Sequence, residues 1–74
     1  MNKGYTIKRY VKKNKEWKII KEDNDYMVIL NKYNELIKSN RYYYKLIDNR
    51  INKTIYIFVP KKYDKDNKNE YIEY

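Results

Sequence analysis

The chain has no cysteine, histidine, alanine or glutamine, and only one glycine, one proline, one tryptophan and one phenylalanine among its 74 residues. Without cysteine or histidine there are no disulfides, no thiol chemistry, no thiolate or imidazole metal sites, and no side chain with its ordinary pKa near neutrality. The longest apolar runs, "YMVIL" and "IYIFV", are five residues each, far short of a membrane span. The opening "MNKGYTIKRY" has no apolar segment or small-residue cleavage site of the kind a secretory signal needs. The expectation is a soluble, cytoplasmic protein with no membrane partner.

What the chain does contain is charge and tyrosine. There are 18 Lys/Arg against 10 Asp/Glu, a formal net charge of +8, and 11 tyrosines. The charge is uneven: residues 1–21 carry eight bases and one acid, whereas residues 22–48 carry four bases and five acids. The electrostatic signal is therefore N-terminal. Abundant Asn, Ile, Lys and Tyr point to an AT-rich gene, as in a low-GC bacterium, phage, plasmid or archaeal virus. A chain this short makes one small domain with a thin core, burying about 60% of its extended surface, so self-association as a homodimer is a candidate property.

Hydrophobic periodicity predicts two hairpins around a helix. "YTIKRYVKK" (5–13) and "WKIIK" (17–21) alternate as strands about an "NKE" turn. Arg9 shares the Ile7/Val11 face, so it either reaches the sheet margin or a bulge shifts the register. "EDND" supplies a polar break and an N-cap. Tyr26, Ile29, Leu30, Tyr33, Leu36 and Ile37 then fall within an arc of about 120° on a helix over 26–38. A strand over "YMVIL", giving a small all-β barrel, is the competing fold. "YYYKLID" and "TIYIFVP" form the second hairpin around "NRINK", with Pro60 ending the pairing.

The expected fold is a single α+β domain over 1–60, ββαββ, with a four-stranded antiparallel sheet and one amphipathic helix on one face. Residues 61–74 are expected to form a polar tail of mixed charge. Ile7, Val11, Trp17, Ile19, Tyr44, Leu46, Ile55, Ile57 and Val59 are assigned to the helix side. Lys8, Tyr10, Lys12, Lys18, Tyr43, Lys45, Tyr56 and Phe58 are assigned to the open side, since one helix covers only one face.

That open side is the candidate site. Aromatic rings stack on bases and cations neutralise phosphates, and a sheet can present both in register. "KRYVKKNKEWK" adds six Lys/Arg in eleven residues at a hairpin turn. Lys8, Arg9, Lys12, Lys13, Lys15 and Lys18 are the expected phosphate contacts, and Tyr10, Tyr43, Tyr56 and Phe58 the stacking surfaces, with Lys45 among them. The partner would be RNA or other nucleic acid, or a ribonucleoprotein complex.

No cofactor or metal is expected. The Asp-x-Asp pairs at Asp23 and Asp64 fail as calcium loops, with Val28 or Asn69 where glycine is needed. Nor is an enzyme expected, because the acids cluster in a turn and a tail; a catalytic version would be a small basic ribonuclease using Lys/Arg and Tyr. "YKLIDNRINKTIYIF" resembles the C-terminal hairpin of RelE-type ribonuclease toxins over about a fifth of the chain. The helical N-terminal portion of that family has no counterpart here. The alternative function is a phage- or mobile-element-encoded viral protein that inhibits a host defence nuclease by binding it, as an anti-CRISPR does.

Tyr42, Tyr43 and Tyr44 divide between the two faces, which yields the first prediction. Tyr44→Ala should cost about 3 kcal/mol of stability in a urea melt, in the range for truncating a buried ring, while Tyr43→Ala should cost binding instead. A larger loss from Tyr43→Ala would invert the faces.

Overall fold

The computed structural model describes residues 3–63 and 71–73. The elements are β1 (Tyr5–Val11), β2 (Glu16–Asp23), α1 (Tyr26–Ile37), β3 (Tyr44–Asp48), β4 (Lys53–Phe58), β5 (Lys61–Tyr63) and β6 (Tyr71–Glu73). The first four strands make an antiparallel sheet in the order β2-β1-β3-β4, with α1 against one face. The order ββαββ is as expected, and the sheet is open, with β2 and β4 as edges, so it is not a barrel. Lys61–Tyr63 pairs with Tyr71–Glu73 in a separate two-stranded sheet. This pairing falls in the segment read as a polar tail; residues 64–70 lie outside the described residues. Among the described residues, no helix is long and apolar enough to cross a membrane.

Both hairpin loops are four residues long and end in a left-handed residue. Val11 pairs with Glu16 across Lys12–Lys15, and Asp48 pairs with Lys53 across 49–52. Lys15 and Asn52 each have φ near 50° (54° and 52°). Asn accepts that conformation more readily than Lys does. The first turn is thus centred earlier than "NKE": Lys12 and Lys13 belong to the loop, and Glu16 to the strand.

The helix begins where a cap is available. The Asp25 carboxylate accepts from the backbone N–H groups of Met27 and Val28, at 2.9 and 3.4 Å, satisfying two donors that the first turn leaves unpaired. Asp23 in turn accepts from the Asp25 N–H at 2.8 Å. At the other end Asn40 takes a left-handed φ of 52° beyond the C-cap Lys38. Its side-chain amide bonds both ways to the Lys61 backbone, donating at 2.5 Å and accepting at 2.9 Å. Together with the buried Pro60, this ties the chain after β4 to the helix C-terminus.

The core is small and rich in tyrosine. Ile7, Ile29 and Leu46 are fully buried, Tyr5, Tyr33 and Tyr44 nearly so, and Tyr26, Leu30, Leu36, Ile37 and Phe58 pack around them. All six positions of the helical stripe take part, as the periodicity implied. A fully buried aliphatic side chain contributes about 1.5–3 kcal/mol, so few such residues leave little margin. Tyrosine suits this thin layer because its ring packs while its hydroxyl reaches water. Tyr26 leans on Tyr5 with ring centroids 5.3 Å apart, and Tyr33 stacks on Tyr56 at 5.9 Å. The Tyr26 and Tyr56 hydroxyls meet at 3.4 Å. That hydrogen bond raises the Tyr26 pKa, and burial raises that of Tyr33.

At the far end of β3 Asp48 is buried at 6% exposure. Arg50 donates to both of its oxygens, Nε at 3.1 Å and Nη2 at 2.9 Å, and the Arg50 N–H adds a third bond at 3.0 Å. The guanidinium also lies 5.0 Å from the Tyr5 ring centroid. The side-chain bonds from Arg50 hold the Asp48 carboxyl below its ordinary range, against the opposing effect of burial. A depressed folded-state pKa stabilises the fold above the unfolded value of about 3.9 and loses that contribution as pH falls through the folded value. Urea midpoints should therefore drop on acidification below about pH 4, and Asp48→Asn should lower the neutral-pH midpoint while flattening this acid dependence. An unchanged acid limb in Asp48→Asn would show that other carboxylates carry it.

Candidate nucleic-acid interface

The two central strands present the expected alternation. Ile7 pairs with Leu46 and Arg9 with Tyr44 on the helix side, whereas Lys8 pairs with Lys45 on the open side. Tyr10 and Tyr43 continue the open side, joined by a 3.0 Å bond from the Tyr10 N–H to the Tyr43 carbonyl.

The edge strands differ from expectation, and a bulge in each explains why. Directly opposed residues share a face, so a one-residue slip exchanges the faces beyond it. In β2, Lys21 pairs with Ile7 but Ile19 with Lys8, leaving Ile20 as the extra residue. Trp17 and Ile19 consequently pair with Tyr10 and Lys8 and stand on the open side, not beneath the helix. In β4, Thr54 pairs with Ile47 but Tyr56 with Leu46, leaving Ile55 as the extra residue. Tyr56 and Phe58 therefore turn to the helix side, where Tyr56 stacks on Tyr33. Ile57, opposite Lys45, turns outward and is 65% exposed. The assignments of Trp17, Ile19, Ile57, Tyr56 and Phe58 are thus reversed. The helix-side assignment of Ile55 also fails, since it is unpaired in the ladder and exposed.

Arg9 belongs to the sheet margin. The extra residue lies in β2, so the alternation of β1 is unbroken. Arg9 stays on the helix side, with its guanidinium 4.7 Å from the Tyr42 ring centroid. Lys18, exposed and paired with Arg9, shares that side by register, which removes it from the open face. Lys13 and Lys15 are exposed in the loop.

The open face gathers three rings. Tyr10 lies 5.4 Å from Trp17 and 6.2 Å from Tyr43, centroid to centroid. The Lys45 ammonium sits 4.3 Å from the Trp17 ring centroid, and that of Lys12 sits 5.8 Å from that of Tyr43. The next row reads Ile19, Lys8, Lys45, Ile57 across the four strands. Two lysines directly opposite each other disfavour the pairing. The Glu22 carboxylate lies at the far end of the face, 3.5 Å from the Thr6 hydroxyl. Of the expected site, the fold brings together Lys8, Tyr10, Lys12, Tyr43 and Lys45, adds Trp17, keeps Lys13 and Lys15 in the loop between β1 and β2, and leaves out Arg9, Lys18, Tyr56 and Phe58.

The fold and this face define a small open-sheet ββαββ domain whose uncovered side is aromatic and cationic. Comparison with protein-family models, curated proteins and solved structures finds no match to this chain.

The reversed faces make a stability test. Ile19→Thr and Ile57→Thr should change the unfolding free energy by no more than about 0.5 kcal/mol, as at other exposed sites. Phe58→Ala should cost about 2 kcal/mol or more, below the 3–5 of a fully buried ring. Equal losses in a urea titration would contradict the bulged register.

Proposed function

We propose that this is a non-enzymatic module that binds single-stranded nucleic acid, free or within a ribonucleoprotein, across the uncovered sheet face. The observation that carries this reading is the cluster of Trp17, Tyr10 and Tyr43 rings with Lys45 and Lys12 over them, beside the unbalanced Lys8–Lys45 pair.

The energetics favour exchange at Trp17. An exposed cation–π contact is worth about 0.5–1 kcal/mol, whereas a base stacked on an aromatic side chain is worth about 1–3 kcal/mol. A base that displaces Lys45 from the indole gains more than it breaks, and the freed ammonium moves to the adjoining phosphate. The loop lysines Lys12, Lys13 and Lys15 extend the cationic track past the rings. Phosphates fix the position of the strand, and the rings accept any base, so the expected binding has little sequence preference.

The exposed Ile19 and Ile57, at 55% and 65%, favour a second reading. They flank the two lysines and would suit a protein partner, as in an inhibitor that occludes a host defence nuclease. Free nucleic-acid binding separates the two.

Trp17 is the single tryptophan, so its fluorescence reports on the face directly. Uridine oligomers should quench it. Their affinity should fall with salt at a log–log slope of about −2, from about −0.7 for each of roughly three neutralised phosphates. Flat affinity from low to moderate salt would sink the phosphate role. No quenching, with a stoichiometric protein recovered from the host instead, would favour the inhibitor.

A further inference from the structure

Where β1 runs out beside the entry to β3, a cleft of about 280 Å³ opens between Arg9, Lys12 and Arg41 and the rings of Tyr10, Tyr42 and Tyr43. It joins the two sides of the sheet: Arg9 and Tyr42 come from the helix side, Tyr10 and Tyr43 from the open side. Three cations and no carboxylate line it among the described residues. Among the described residues neither Arg9 nor Arg41 is ion-paired.

The walls are held in place. Tyr42 lies edge-on to Tyr44 at 6.3 Å between centroids, and Arg9 lies over Tyr42. Asn40, next to Arg41, is fixed by its two bonds to the Lys61 backbone. A volume of about 280 Å³ sits just under the usual range for small-ligand pockets, about 300–1,000 Å³, which suits one small unit and not a chain. Arginine's planar fork suits phosphate oxygens, and tyrosine rings suit a flat heterocycle.

We propose that this cleft holds one nucleotide, with its phosphate between Arg9, Arg41 and Lys12 and its base against the Tyr42 and Tyr43 rings. The proposal deepens the nucleic-acid reading, because Tyr10, Tyr43 and Lys12 belong to both surfaces. A strand anchored here would run on over Tyr10 and Trp17.

Chemical-shift mapping with uridine monophosphate, uridine, inorganic phosphate and a uridine oligomer tests it on the full chain. Uridine monophosphate should move the backbone signals of residues 9–12 and 41–43 and bind more tightly than uridine or phosphate alone. Arg41→Ala should weaken it about tenfold, the scale of a lost hydrogen bond to a charged group. Arg41 is exposed and outside the strands, so Tm should stay unchanged. Immobile cleft signals, wild-type affinity in Arg41→Ala, or phosphate binding as tightly as the nucleotide would each overturn the assignment. Oligomer quenching of Trp17 without shifts in the cleft would overturn the cleft and keep the face. Nucleotide in the cleft without oligomer quenching would support the cleft and overturn the face.

Discussion

One helix of twelve residues, Tyr26–Ile37, has to supply the cover for one side of a four-stranded sheet. The rest of the structure follows from that shortage. The central strands bury Ile7 and Leu46 completely against Ile29, while the edge strands stay largely exposed. A layer this thin cannot be filled with aliphatic side chains alone. Tyr5, Tyr26, Tyr33 and Tyr44 fill it with rings, and the half-exposed Tyr56 stacks on Tyr33 and meets the Tyr26 hydroxyl at its rim.

The bulges at Ile20 and Ile55 settle what each edge strand gives to the core. Around Ile55 the slip draws Tyr56 and Phe58 inward and releases Ile57. Around Ile20 it turns Trp17 to the uncovered side. The outcome is a division of labour among aromatics: tyrosine and phenylalanine in the covered layer, and tryptophan with Tyr10 and Tyr43 on the uncovered side. Placing Lys8 against Lys45 there costs stability that an apolar pair would not. A bound anion would offset that cost, so the arrangement that weakens the free protein would favour the proposed complex.

Much of this was legible in the sequence. The six-residue helical stripe, an N-cap within "EDND" and the split of Tyr43 from Tyr44 all follow from period and side-chain chemistry, and they fix the element order and the central faces. The bulges were not legible. Bulges are commonly marked by glycine, yet "KIIK" and "TIYIF" are uninterrupted strand-forming runs in which either parity places hydrophobic residues inward. Trp17 and Ile19 read as core because they are apolar and aligned, and Tyr56 and Phe58 read as surface because they alternate with Ile55, Ile57 and Val59. The dilemma of Arg9 was real: a bulge does lie beside it, but in the partner strand, so Arg9 reaches the margin. The cleft has no signature in the sequence, because Arg41 and Tyr42 precede β3 and meet Arg9 only through the pairing of β1 with β3.

The most direct measurement is the set of intermolecular nuclear Overhauser contacts between the protein's ring protons and the base protons of a bound uridine oligomer. Contacts to Trp17, Tyr10 and Tyr43, together with an intramolecular contact between the Tyr33 and Tyr56 rings, are the predicted result. Base contacts to Tyr56, or Trp17 contacts to helix residues such as Tyr33, would contradict both the bulged register and the binding face built on it.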